Sequence, residues 1–417
     1  MRNGLQISKN AVVHYFLIFI MLSFQGSLWF RQYNNIFVVG AILLGILVYS
    51  QRLSKVPQHY ILFLILLLLS LFFEIFITNG GVSLSSVGSI MSRFMIVLAA
   101  FYWDEEKFPE RFVKISILFA TFSLVCFGIE IVSPEILKMF MSPHVETVTN
   151  YWKTYNVTYY SNLIFAFTEN SIRNLGIYHE PGLYQIVLNT TLYLLLFKKD
   201  RLNISRSRYY RYLIITIASI ITCMSTTGYI GMIVLFLIYF LFMKNNSESN
   251  IKWLGLGGII GFIFYCFFSG ENNIIYKTII SKVTNASGEF DLSVSTGHSR
   301  IMSLLADIQV FKEHPFGIGY LNYNDTWKSN LLDETISDVS SCVGLTQILA
   351  ILGIGVTVLI LGYYVFLMLR NLTGVERISF ILMFLNTCLA QPQVWFPAMI
   401  VLLLINEKTR CIDEEMY

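Results

Sequence analysis

The sequence predicts an all-α fold: a polytopic transmembrane helical bundle of about 12 helices, with two large hydrophilic segments on one side of the membrane. Two observations lead there. Of 417 residues, 55% are hydrophobic and only 13% are charged, about half the charged fraction of a soluble domain. Apolar runs also recur along the whole chain, each near the roughly 20 residues that a helix needs to span hydrocarbon. Mean hydropathy is +0.62, and one integral membrane domain over residues 1–417 accounts for it.

Twelve runs carry the spans: 11–30, 35–50, 60–77, 87–103, 112–132, 182–197, 212–224, 229–243, 253–269, 342–368, 378–391 and 393–406. The first follows Arg2 and Lys9 as a signal peptide would. It is too long for one and has no small-residue cleavage site, so it reads as a retained helix. Gln391-Pro392-Gln393 separates the closing pair. Gly257 and Gly261 form a GxxxG that permits close helix packing.

Lysine and arginine set the orientation, because positive segments are retained in the cytoplasm. With both termini inside, nineteen of the 29 basic residues fall on the inner side and nine on the outer; Arg93 lies within a run. The long segments 133–181 and 270–341 are then both extracytoplasmic. A chain that places its hydrophilic residues on that face works there, away from ATP and sugar nucleotides.

Few residues are suited to chemistry. Cys126, Cys223, Cys266, Cys342, Cys388 and Cys411 are scattered without a CxxC pair and read as small packing residues. There is no Walker A, HExxH or outer DxD pair, so neither metal nor cofactor is expected, nor a nucleic-acid partner. The acidic stretch Asp104-Glu105-Glu106 reads as a solvated helix end. The first hydrophilic segment ends in Arg173-Asn-Leu-Gly-Ile-Tyr-His-Glu-Pro-Gly182. Arg173, His179 and Glu180 put a fixed cation, a titratable base and a carboxylate in one short stretch. Upstream, Tyr151, Trp152, Tyr155, Tyr159 and Tyr160 form either an interfacial aromatic belt or a platform for sugar rings.

The second segment holds Gly297-His-Ser-Arg300, then apolar residues at helical spacing over 301–311, then Lys312-Glu-His-Pro-Phe-Gly-Ile-Gly319. The helix is expected to cap the bundle or lie on the membrane. His314-Pro315 stops it, and Gly317 and Gly319 permit tight turns. Within the apolar runs, Glu74 and Arg93 lie at similar depth on neighbouring helices. Either they pair, or Arg93 faces an outer cavity and meets an anion.

These motifs resemble those of the O-antigen and capsule polymerases of the Wzy type, in the O-antigen polymerase/ligase superfamily. The R-x-x-G-x-x-x-E-P form of residues 173–181 resembles the segment preceding a membrane helix in that family. Met224-Ser-Thr-Thr-Gly-Tyr-Ile-Gly231 resembles the short outer turn that follows, and residues 297–319 resemble the large-loop signature G-x-S-R…H-P-x-G-x-G. Ligases of the superfamily place a His-Asn pair before the next helix. Here the stretch is Asp338-Val-Ser-Ser-Cys342, which tilts the reading toward a polymerase.

The resemblance implies a GT-C-like, metal-independent glycosyltransferase of the bacterial cytoplasmic membrane. Donor and acceptor would be oligosaccharide repeats on undecaprenyl diphosphate, in contact with membrane lipid and with a chain-length regulator as a further partner. The departing diphosphate needs preorganised cations, for which Arg173 and Arg300 lead and Arg93 is third. The general base is open among Glu180, His179, His298 and His314, with Glu180 favoured because the resemblance includes it. A ligase handing glycan to another acceptor is one alternative, and a lipid-linked sugar flippase is another from a different class.

Overall fold

Apolar runs fold as helices because, in hydrocarbon, every backbone N–H and C=O has to be satisfied within its own segment. The computed structural model describes residues 9–52, 55–133, 136, 141–150, 153–160, 165–168, 173–242, 257, 296–331 and 341–406. The first half of the bundle comprises α1 (Lys9–Ser23), the short α2 (Leu28–Gln32), α3 (Asn34–Gln51), α4 (Gln58–Ile77), α5 (Leu84–Trp103) and α6 (Phe108–Val132). Next come α7 (Pro181–Phe197), α8 (Arg206–Thr222) and α9 (Thr226–Phe242). The last part holds α10 (Thr296–Glu313), α11 (Tyr320–Ser329), α12 (Gly344–Asn371), α13 (Gly374–Cys388) and α14 (Pro397–Leu404). The expected run 253–269 and Gly261 lie outside the described residues, Gly257 apart.

Among the described residues five helices, α3, α4, α5, α6 and α12, are long and apolar enough to cross a membrane; α1, α7 and α9 are shorter apolar helices. Along α3 and α4, Ile36, Leu43, Ile46, Leu69 and Phe73 stay exposed, a surface that suits lipid and not water. The closing run 393–406, expected as a full span, forms only the eight residues of α14, all of them buried. At 1.5 Å per residue that is about 12 Å. A helix apolar on every side belongs in the middle of a bundle, and α14 packs against α1, α5, α7 and α12.

The first hydrophilic segment departs from the all-helical expectation. It contains β1 (Met141–Asn150), β2 (Lys153–Tyr160) and β3 (Phe165–Thr168) in one antiparallel sheet of order β1-β2-β3. Asn150 pairs with Lys153, Thr147 with Asn156, and Val157 with Thr168. Threonine, valine and tyrosine dominate β1 and β2, the composition that favours strands. Tyr155, Tyr159 and Tyr160 fall in β2, while Tyr151 and Trp152 lie outside the described residues.

In the second segment α10 ends at Glu313, ahead of His314-Pro315 as expected, and packs on α12. Asp307 is fully buried between them and accepts three hydroxyl hydrogen bonds: from Tyr323 of α11 at 2.5 Å, from Ser341 at 2.7 Å and from Thr346 of α12 at 2.6 Å. Burial pushes its carboxyl up to about 6, against the pull of those hydroxyls.

α12 is broken at Gly353 (φ 65°, ψ −177°). The break frees carbonyls that the next turn would have bonded, and the glycine-rich stretch satisfies them. Ile318 N–H donates to Ala350 O at 3.1 Å, Gly319 N–H to Ile351 O at 2.9 Å, and Ile354 N–H to Pro315 O at 3.0 Å. Gly319 (φ 80°) also lies on Gly81, where a Cβ would come within 2.3 Å of a backbone carbon. The G-x-G is thus a backbone clamp.

Gly80 provides an internal control, since its φ is 85° but nothing approaches its missing Cβ. Gly80→Ala should cost only positive-φ strain, about 1–2 kcal/mol. Gly319→Ala should cost roughly 1–3 kcal/mol more through the backbone clash. Thermal midpoints of the purified variants measure this, and equal midpoints would contradict the clamp.

Candidate functional site

Polar and charged groups collect at the end of the bundle where α1 ends and where α5, α7 and α14 begin. The chain between α1 and α2 turns through Gln25, Gly26 and Ser27, and Ser27 forms a lone β-bridge with Tyr178. That bridge lays the stretch before α7 across the turn. The His179 N–H and Nδ1–H both reach the Gly26 carbonyl, at 3.4 and 2.6 Å. Because that carbonyl only accepts, Nδ1 carries the ring proton and Nε2 keeps its lone pair. Nε2 lies 3.9 Å from Glu180 Oε1.

Glu180 caps the start of α7, where Pro181 fixes the first helical residue. Gln391, from the turn between α13 and α14, donates a hydrogen bond to its carboxylate. Burial raises the Glu180 pKa, opposed by the nearby charge of Arg31 and by the Gln391 bond. Burial pushes His179 down to about 4; the Arg31 charge pushes the same way, and the Gly26 carbonyl opposes. At neutral pH His179 is therefore an uncharged acceptor.

Arg93 projects from α5 nine residues past Leu84, roughly 13 Å along the helix. It is only 7% exposed. Its Nη1 donates to Ser89 O at 2.7 Å and to Ser89 Oγ at 2.8 Å, and its guanidinium lies 5.5 Å from the Phe30 ring centroid. Among the described residues Nε has no hydrogen-bond partner. The alternative pairing with Glu74 does not form among those residues; Glu74 Oε2 is itself buried without a partner.

Two cavities meet at Arg93, Pro392 and Gln393. One, of about 280 Å³, is lined by Arg31, Arg93, His179, Glu180 and Gln391 with an apolar back of Phe24, Phe30 and Leu183. The other, of about 380 Å³, is lined by Asn34, Ser85, Ser86, Gln347 and Gln393, with Tyr320 and Trp395 as its aromatic walls. Such an arrangement suits an anion gripped by two guanidinium groups, beside a hydroxyl held near a neutral imidazole and a carboxyl.

Of the residues singled out in the sequence, His179, Glu180 and Arg93 come together here. Arg173, Arg300, His298 and His314 line neither cavity. Arg173 sits beside Asn174, which is tied to Thr222, the last residue of α8. His298 and Arg300 lie in the first turns of α10, and His314 follows its last. Among the described residues no cluster of His, Cys, Asp or Glu is arranged to hold a metal ion. Arg31, Tyr320, Gln391, Gln393 and Trp395 were not foreseen. Gln391-Pro392-Gln393, polar between two apolar runs, was the available signal for its part of the site.

Comparison with known protein families, curated proteins and solved structures finds no match to this chain.

The charge of Arg31 is one cause of the low His179 pKa, so removing it should move that pKa up from about 4. Histidine-selective ¹⁵N NMR of wild type and Arg31→Ala reads the midpoint directly. An unmoved midpoint would show that the two groups are not electrostatically coupled.

Proposed function

We propose that the chain is a polysaccharide polymerase, a glycosyltransferase that moves a growing glycan from undecaprenyl diphosphate onto a new lipid-linked repeat. The reading places it in the bacterial cytoplasmic membrane, as a GT-C-like bundle of about 12 spans with both termini in the cytoplasm and the site on the outer face. The observation that carries it is the meeting of Arg93 and Arg31 with a neutral His179 and a buried Glu180 in one cavity. The motif resemblance supplies the substrate class.

Breaking the donor's glycosidic bond builds negative charge on the leaving diphosphate. Cations fixed beforehand stabilise that charge more in the transition state than in the ground state. Arg93 and Arg31 take this role in place of Arg173 and Arg300, because they share a cavity with the acid–base pair. The acceptor hydroxyl lies between Glu180 Oε1 and His179 Nε2, 3.9 Å apart. Glu180 takes its proton: a carboxylate with a raised pKa is a stronger base than an ordinary one. Attack by that oxygen on the anomeric carbon then releases the diphosphate. The second hydrophilic segment forms part of the wall of the site through Tyr320, and a chain-length regulator is the further partner of this reading.

Purified protein in lipid nanodiscs with a defined lipid-linked repeat should yield a ladder of products without a second acceptor. Arg93→Ala and Arg31→Ala should each lower turnover by about 10²–10³, and Glu180→Gln by about 10²–10⁴. The wild-type rate should fall as pH drops through the raised Glu180 pKa, since protonation removes the base. A ladder undiminished in Arg93→Ala but lost in Arg173→Ala and Arg300→Ala would return the diphosphate to the loops. Transfer only to a different acceptor would make the protein a ligase.

A further inference from the structure

We infer that the larger of the two cavities is a subsite for an uncharged sugar ring, with Arg93 at the point where that ring meets its phosphate. This rests on the transferase reading and adds what the second cavity binds. The cavity is contiguous with the one holding His179 and Glu180, because Arg93, Pro392 and Gln393 line both. A ligand whose anionic group lies at Arg93 therefore extends into it.

Its lining is polar but, Arg93 apart, carries no formal charge. Ser85 and Ser86 come from the first turn of α5, Asn34 from the start of α3, Gln347 from the first turn of α12 and Gln393 from the turn before α14. Hydroxyl and carboxamide groups both donate and accept. A pyranose presents the matching pattern, a ring of hydroxyls that each donate and accept. Sugars also have apolar C–H faces, and Tyr320 and Trp395 supply rings on which such a face can rest. At about 380 Å³ the space falls within the roughly 300–1,000 Å³ of small-ligand sites.

The charge pattern makes the inference selective. No carboxylate lines the cavity, and Arg93 is the sole cation among its lining residues. In the transferase reading Arg93 is already engaged by phosphate. A uronate carboxylate in this cavity would leave water without a cation to meet it, an uncompensated burial. The sugar attached directly to the phosphate is therefore a neutral or N-acetylated one.

The test uses full-length protein in nanodiscs and isothermal titration with inorganic phosphate, glucose 1-phosphate, galactose 1-phosphate, N-acetylglucosamine 1-phosphate and glucuronic acid 1-phosphate. At least one neutral glycosyl phosphate should bind about tenfold more tightly than inorganic phosphate. Gln347→Ala and Trp395→Leu should each cut that preference to less than about threefold. Both variants should keep phosphate affinity within about twofold of wild type, which also reports that they fold. Glucuronic acid 1-phosphate should show no preference over phosphate. The subsite is overturned if no neutral glycosyl phosphate outbinds phosphate, or if the preference survives both substitutions. Equal binding of the glucuronate overturns the charge selectivity. No ladder from the lipid-linked repeat, with the sugar preference present in wild type and lost in both variants, would sink the diphosphate-transferase reading alone and uphold the subsite.

Discussion

A guanidinium inside an apolar helical bundle has to be compensated, and the whole site follows from how Arg93 is compensated. Removing a charge from water is costly unless it is paired and hydrogen-bonded. At the opposite end of the bundle the solution is ordinary pairing. Lys198 bonds Glu376 and Asn406, with Asn406 closing the triangle at 3.0 Å, and Arg111 meets Asp104 at 2.7 Å. Arg93 instead has the carbonyl and hydroxyl of Ser89 and the face of Phe30. These are dipoles and a quadrupole, and none carries negative charge. On the transferase reading, a cation in that state beside two cavities is arranged for an anion that arrives from outside. The cost of holding it so is the kind of local expense that folds tolerate at functional sites.

The surrounding backbone keeps the cavities open and in place. The break at Gly353 lets the stretch 315–319 bond directly to α12, which delivers Tyr320 to the wall of the larger cavity. Asp307 ties α10 to α11, to the chain at Ser341 and to α12 through hydroxyl groups. Hydrogen bonds to a buried carboxylate contribute about 1.5–3 kcal/mol each. The second hydrophilic segment, over the part that the structure describes, is thus stapled to the bundle, and its glycines serve backbone approach. On the other flank the Ser27–Tyr178 bridge and the Gly26 carbonyl hold His179 in one tautomer. Rigid supports on both flanks are what a preorganised site requires.

The sequence made the helices legible because an apolar run has few options in hydrocarbon. α3 to α6 begin within about five residues of the expected runs. What periodicity could not show was depth and contact order. The run 393–406 and the run 60–77 look alike in composition, yet α14 is buried on every side and α4 faces outward. The strands of the first hydrophilic segment are not legible because their tyrosines suit a membrane interface or a sugar as well as a strand. In the site, His179, Glu180 and Arg93 were legible, being titratable groups in improbable places. Arg31 was not, because a cation beside a predicted helix end looks like any loop residue until the fold brings it to His179. Arg173 and Arg300 belong to motifs but line neither cavity, since motif membership says nothing of which cavity a side chain enters.

The same electrostatics bear on when the base becomes active. Without ligand, Arg31 holds the His179 pKa down and opposes the rise of the Glu180 pKa. Each is then a poorer proton acceptor than its burial and partners alone would make Glu180, or than an ordinary imidazole. On the transferase reading, a diphosphate bound to Arg31 and Arg93 brings compensating negative charge. Its field cancels the influence of Arg31, so the proton affinity of both groups rises as the substrate seats. The acceptor hydroxyl thus meets a competent base only when a leaving group is in place to depart. Water entering the empty site meets a weakened base and no electrophile. Arg31, which grips the donor together with Arg93, therefore also gates the base, and the coupling needs no conformational change, only the proximity already built between Arg31 and the pair at the start of α7.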